Sequence, residues 1–119
     1  GGNVGTAAWV FANAILKTPR IALTGMDLGY HLETPIEMTQ TYYELLEFVN
    51  SREELEALFP KFTFPLTGEV FYTDPTYFWY RHNFLQLLEQ ANGETFNCTE
   101  SGTLFDDNLP CKTLNEFMT

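Results

Sequence analysis

Basic residues are scarce in this chain. Six Lys and Arg stand against 16 Asp and Glu in 119 residues, a formal net charge of −10 with a pI near 4.4. A field of that sign excludes duplex DNA or RNA as the expected partner, because phosphate binding draws on clustered Lys and Arg. It argues in the same way against an anionic membrane surface. It leaves room for a single nucleotide held by backbone N–H groups. Cysteine is nearly missing: Cys98 and Cys111 are too few for a disulfide scaffold and read as two reduced thiols of a cytoplasmic protein. No apolar run is long enough for a membrane-spanning helix, and no basic stretch leads into an apolar core of the signal-peptide kind. Cys/His spacings for zinc are missing, as are GxSxG, P-loop lysine and HExxH motifs. Charged residues make up only 18%, whereas 45% are hydrophobic and 16% aromatic. That composition belongs to one small folded domain over 1–119 rather than to a disordered tail.

The acid is unevenly placed. Residues 1–30 carry Lys17, Arg20 and Asp27, a net +1, and the rest of the chain carries −11. Within the first part, GGNVGT (1–6) precedes a small-residue apolar segment, Ala7 to Leu16, that is apolar nearly all round. This predicts a buried helix, stopped by Pro19. IALTG (21–25) then reads as a buried parallel strand, continuous rather than alternating. DLGYHLETP (27–35) reads as a loop, and residues 36–49 show helical periodicity. Ser51 with Glu54 forms a capping box that opens a short helix. KFTFPLTGEVFYT (61–73) reads as a β-hairpin turning at Thr67-Gly68. Asp74-Pro75 opens a helix that runs to Ala91 and ends at Asn92-Gly93, and its stripe of Tyr77, Tyr80, Arg81 and His82 reads as core packing. ETFNCT (94–99) is a second parallel strand, 100–110 a loop, and 111–118 a closing helix.

Two core strands do not make an independently stable sheet, and a phosphate-binding glycine turn normally follows a strand. The expected fold is therefore α/β: the C-terminal portion of a Rossmann-like three-layer α/β/α domain with an inserted β-hairpin. The missing half would be supplied by further chain or by a second copy in a homodimer. Trp9, Phe11 and Phe96 would need that partner surface.

Three segments carry candidate chemistry. In GGNVGT, Gly2 and Gly5 permit close backbone approach, and Asn3 and Thr6 add side-chain donors at a helix start. In TGMDLGYH (24–31), polar residues follow a buried strand directly, where ligands of open α/β sheets bind. There Asp27 would take a ribose hydroxyl, a substrate hydroxyl or a metal such as magnesium, and Tyr30 and His31 would donate protons or contact phosphate. In FNCTESGTLF (96–105), Thr99, Glu100 and Ser101 would face the same crevice.

Taken in order, GGNVGTAAWVFANAILKTPRIALTGMDLGY resembles the glycine pair, small-residue helix, apolar strand and G-x-D-L-x-Y segment of the family that contains the motility accessory factors and the archaeal 6-hydroxymethylpterin diphosphokinases. GEVFYTDPTYFWYRHNFLQLLE is similar to the hairpin and helix of that family, and FNCTESGTLFDDNLPCKTLNEF to its N-x-T-E-x-G strand and closing P-x-x-x-L-x-E-F. The resemblance covers 1–118. It implies a Rossmann-like domain that handles a nucleotide-linked donor, either a motility-accessory-factor-like glycosyltransferase using a CMP-type sugar or a diphosphokinase using ATP. It places Gly2, Asn3, Gly5 and Thr6 on the donor phosphates or ribose, Gly25 and Asp27 at the crevice, Tyr30 near the leaving phosphate, and Thr99, Glu100 and Gly102 on the opposite wall. Bacterial CMP-sialic acid transferases look distantly similar, but their histidine before the later helix has no counterpart near Tyr72-Thr73. A non-catalytic nucleotide-binding or interaction module is therefore the other expectation.

Overall fold

Pro19 and Gly93 set the frame of the molecule, because they bring the starts of the two parallel strands together. A computed structural model describes residues 4–119; the expected contacts of Gly2 and Asn3 lie outside the described residues. In chain order the elements are α1 (Val4–Val10), β1 (Arg20–Leu23), β2 (Tyr30–His31), α2 (Tyr42–Leu45), α3 (Arg52–Glu56), β3 (Lys61–Thr63), β4 (Val70–Tyr72), α4 (Pro75–Leu87), β5 (Glu94–Asn97) and α5 (Leu114–Met118). The Glu94 N–H donates to the Pro19 carbonyl (2.9 Å), and β1 and β5 then run parallel in the register Arg20–Glu94 to Leu23–Asn97. A Cβ at Gly93 would lie 2.1 Å from the Pro19 oxygen, so only glycine permits this start.

Side-chain alternation gives the parallel pair two covered faces. Ile21, Leu23, Thr95 and Asn97 point to one side, where the Trp9 Nε1–H donates to Thr95 Oγ1 (3.0 Å) and the indole meets Phe84 of α4 edge-on, with centroids 5.7 Å apart. Ala22 and Phe96 point to the other side, where Phe96 meets Phe117 of α5 and the Arg20 guanidinium lies over the Phe117 ring. Helices thus flank both faces, and the chain is of the α/β class, with a parallel and an antiparallel sheet. The antiparallel sheet has the order β2-β4-β3 and contains the expected hairpin, with Gly68 at φ +76° in its turn.

Local chemistry accounts for the helix ends. Asp74 accepts from the Tyr77 N–H and Pro75 stands at the first helical position of α4. Ser51 Oγ accepts from the Glu54 N–H, while the Glu54 carboxylate reaches back one residue further than expected, to the Asn50 N–H. Thr113 and Glu116 form a second, complete capping box at α5, which the sequence reading did not single out.

Four expectations are corrected. The apolar helix at 7–16 is covered on one stripe only, Thr6, Trp9 and Asn13, and it widens into a π-type turn over Phe11–Ile15 that leaves Phe11, Ile15 and Leu16 exposed. Residues 36–49 do not form one helix: the Thr39 hydroxyl donates to the Ile36 carbonyl (2.6 Å) and Thr39 turns extended, which breaks the spiral before Tyr42. Trp9 and Phe96 are 2% and 6% exposed within the single chain, so neither needs a partner surface. In α4 the Tyr77 and Tyr80 stripe expected in the core is only half-buried; Phe84 is the ring that is fully buried, and Phe78 and Trp79 face solvent. Among the described residues no helix is long and apolar enough to cross a membrane.

Candidate functional site

Beyond Leu23 and Asn97 the two parallel strands release their chains on the same side, and hydrogen bonds hold the two emerging loops together. The Cys98 N–H donates to the Leu23 carbonyl (2.7 Å). The Met26 N–H donates to Thr99 Oγ1 (3.2 Å), the Thr103 N–H to the Asp27 carbonyl (2.9 Å), and the Thr103 hydroxyl to the Leu28 carbonyl (2.6 Å). The Ser101 hydroxyl donates to Asp27 Oδ1 (2.5 Å). This bond orients the carboxylate while leaving it exposed, with the second oxygen unspent.

Backbone shape explains the glycines here. Gly25 sits at φ +74° with open space where a side chain would begin. Gly102, at φ +96°, lies so close that a Cβ would come within 2.3 Å of the Asp27 carbonyl oxygen. Glu100 adopts φ +69°, a conformation uncommon outside glycine, and points to solvent. Gly5 on α1 abuts the Met26 side chain, since a Cβ there would lie 2.7 Å from Sδ, and the buried Thr6 follows it in the same turn. The result is an open cleft of about 470 Å³ lined by Gly5, Gly25, Met26, Asp27, Gly29 and Tyr77, among others. Gly5 and Gly25 with Asp27 thus share the cleft. Thr99, Ser101 and Gly102 brace it from behind, with Glu100 on the loop that joins them.

Tyr30 and His31 do not join them. Both belong to β2, opposite Tyr72 and Phe71, because the aromatic faces pair across the sheet. The Tyr30 hydroxyl donates to Asp74 Oδ2 (3.3 Å) and its ring stacks between Tyr72 and Tyr77. Burial above all, with the Asp74 charge adding to it, pushes its pKa up to about 12; its proton is engaged by Asp74 and the residue does not line the cleft. His31 lies over Phe71, with Nδ1 3.2 Å from Glu69 Oε2 on the exposed side of the hairpin.

The raised Tyr30 value has a sign. Below pH 10 the phenol is protonated in both folded and unfolded chains; between pH 10 and 12 only the unfolded chain releases its proton, so stability falls across that window. Denaturant midpoints should be flat up to about pH 10 and then decline, and Tyr72, shifted upward for the same reason of burial, adds to the decline. Tyr30→Phe is expected to remove part of the decline at a cost of about 0.5–1.5 kcal/mol near neutrality. An identical alkaline profile in the variant would contradict this placement of Tyr30.

Two anchoring groups escaped the sequence reading. Asp74 was expected to cap α4, but its buried carboxylate also accepts from the Thr41 and Tyr30 hydroxyls, tying the 30–41 segment to the helix. Asn97, fully buried, accepts from the Thr99 N–H (2.9 Å) and donates to the Leu104 carbonyl (2.5 Å), which shapes the whole 98–104 loop. A polar residue at the end of an apolar strand was the available signal. Among the described residues no group of three or more His, Cys, Asp or Glu is arranged to hold a metal ion. A magnesium ion would fit Asp27 only in the form that uses one carboxylate together with substrate phosphates. Comparison with protein-family models, with curated proteins and with solved structures finds no match.

Proposed function

We propose that this chain is a nucleotide-dependent transferase domain of Rossmann-like construction that uses a CMP-type activated sugar. The observation that carries the reading is the Asp27 carboxylate, held by Ser101 from the neighbouring strand's loop, in one glycine-rimmed cleft at the ends of two parallel strands. Ligands of open α/β sheets bind outside the carboxyl ends of the strands. Asp27, held by Ser101 and able only to accept, suits a ribose or acceptor hydroxyl. The glycine backbone at 25 faces open space and leaves room for a phosphate without side-chain interference.

Among the described residues the cleft lining contains no Lys or Arg. Diphosphate transfer from ATP expels AMP and carries a highly charged diphosphoryl group through the transition state, which calls for cations on that group, so the lining favours transfer of a sugar from a CMP-type donor over the diphosphokinase alternative. In glycosyl transfer the acceptor oxygen bonds to the sugar carbon as the bond from that carbon to the phosphate oxygen breaks; CMP leaves with the bonding pair and the acceptor proton goes to solvent, while Asp27 holds the ribose hydroxyl that orients the donor. One observation favours a second reading, a nucleotide-binding module without catalysis: Tyr30 and His31, the expected proton donors, both lie outside the cleft.

Thermal melts with CMP, CDP, ATP and GTP, each with and without magnesium, separate these readings. A ligand at 100 times its dissociation constant stabilises the fold by about 2.7 kcal/mol, and CMP or CDP is expected to do so. Stabilisation by ATP alone would support the diphosphokinase alternative. No shift with any of the four would remove nucleotide binding altogether.

A further inference from the structure

Asp27 gives the cleft an acceptor, and a phosphate entering beside it needs a donor. Of the hydroxyls nearby, Ser101 is spent on Asp27, Thr103 on the Leu28 carbonyl and Tyr30 on Asp74, and Thr24, in the lining itself, is exposed with no side-chain bond among the described residues to hold it in place. Tyr77 differs. It is the only aromatic ring in the lining, and its hydroxyl makes no hydrogen bond among the described residues. Its position is fixed from two sides. Its own N–H donates to Asp74 Oδ1 (2.8 Å) in the first turn of α4, and its ring lies 5.4 Å from that of Tyr30, which in turn stacks on Tyr72. A held, unspent phenol in a cleft with a carboxylate acceptor matches a ligand that carries both a hydroxyl and an anionic oxygen.

We infer that Tyr77 is the residue that binds the phosphate of a nucleoside 5′-phosphate in this cleft, with Asp27 taking the sugar hydroxyl; the inference rests on the nucleotide reading above. The phenol donates to a phosphate oxygen without adding charge, a charge-assisted hydrogen bond of the stronger kind. It also assigns the cleft's polarity, with Asp27 at the sugar end and Tyr77 at the phosphate end.

The test compares CMP with cytidine, which lacks the phosphate, by calorimetry and displacement on the wild-type chain and on Tyr77→Phe. The variant keeps the ring and its stack on Tyr30, so the melting temperature should change little, and parallel melts refer each affinity to folded protein. Tyr77→Phe is expected to weaken CMP at least fivefold and cytidine by less than twofold. An unchanged CMP affinity would overturn the role of Tyr77 while leaving the nucleotide reading in place. Equal weakening of CMP and cytidine would move Tyr77 from the phosphate to the nucleoside and overturn the assignment. If the wild-type chain binds no nucleotide, the nucleotide reading fails, and this inference with it.

Discussion

Gly102→Ala is expected to destabilise the chain by about 3 kcal/mol or more, the largest effect of any single methyl group around the cleft. Two costs act together. The backbone at φ +96° is strained for an L side chain, and the new carbon would lie 2.3 Å from the carbonyl oxygen of Asp27 and 2.7 Å from its Cα. Backbone strain of this kind costs on the order of 1–3 kcal/mol. The overlap then requires the 24–28 and 99–103 loops to separate, breaking the Thr103 N–H bond to Asp27. Gly25→Ala serves as the control, because Gly25 is also at positive φ but faces open space. It should cost only about 1–2 kcal/mol. Urea denaturation of the two variants separates the terms, and equal losses would mean that the loops do not pack as closely as described.

Asp27→Asn is expected to weaken nucleotide binding by about tenfold or more while leaving the fold nearly unchanged. The amide oxygen still accepts from the Ser101 hydroxyl, so the loop bond survives. What disappears is the charge that strengthens a hydrogen bond from a ligand hydroxyl, and charged hydrogen bonds exceed neutral ones by about 1–1.5 kcal/mol, close to a factor of ten in affinity. Melting temperature and CMP affinity measured side by side decide the matter. A collapse in melting temperature with unchanged affinity per folded molecule would make Asp27 a structural brace and empty the cleft of its main polar group.

The parts of the fold readable in the sequence are those set by neighbours along the chain. Asp74-Pro75 states a helix start because the carboxylate reaches an N–H three residues on. Thr67-Gly68 states a turn because glycine adopts φ +76° without strain. IALTG reads as a parallel strand because it is apolar without alternation, and it pairs with ETFNCT as expected. The parts that escaped depend on distant residues. Tyr30 and His31 look like loop residues until Phe71 and Tyr72, some forty positions later, offer a strand to pair with. The break at Thr39 comes from one side-chain hydroxyl competing for the Ile36 carbonyl, a contest that periodicity does not register. For the candidate site the same division holds. Asp27 is legible because it stands just beyond the end of β1, whereas Gly25 and Gly102 enter the site only through the family resemblance. Tyr77 was passed over because an aromatic in a helix suggests core packing, and nothing in α4 alone shows that this ring borders the cleft.

The account stands on one placement, a nucleotide in the cleft at the carboxyl ends of β1 and β5. Amide chemical shifts of the labelled protein, followed through a titration with CMP, test it most directly. The account predicts that the largest saturable shifts fall on Gly25, Met26, Asp27, Ser101, Gly102 and Tyr77, with β3 and the exposed face of α4 around Trp79 nearly still. Saturable shifts confined to the hairpin around His31 and Glu69, or no shifts at millimolar CMP, would contradict it.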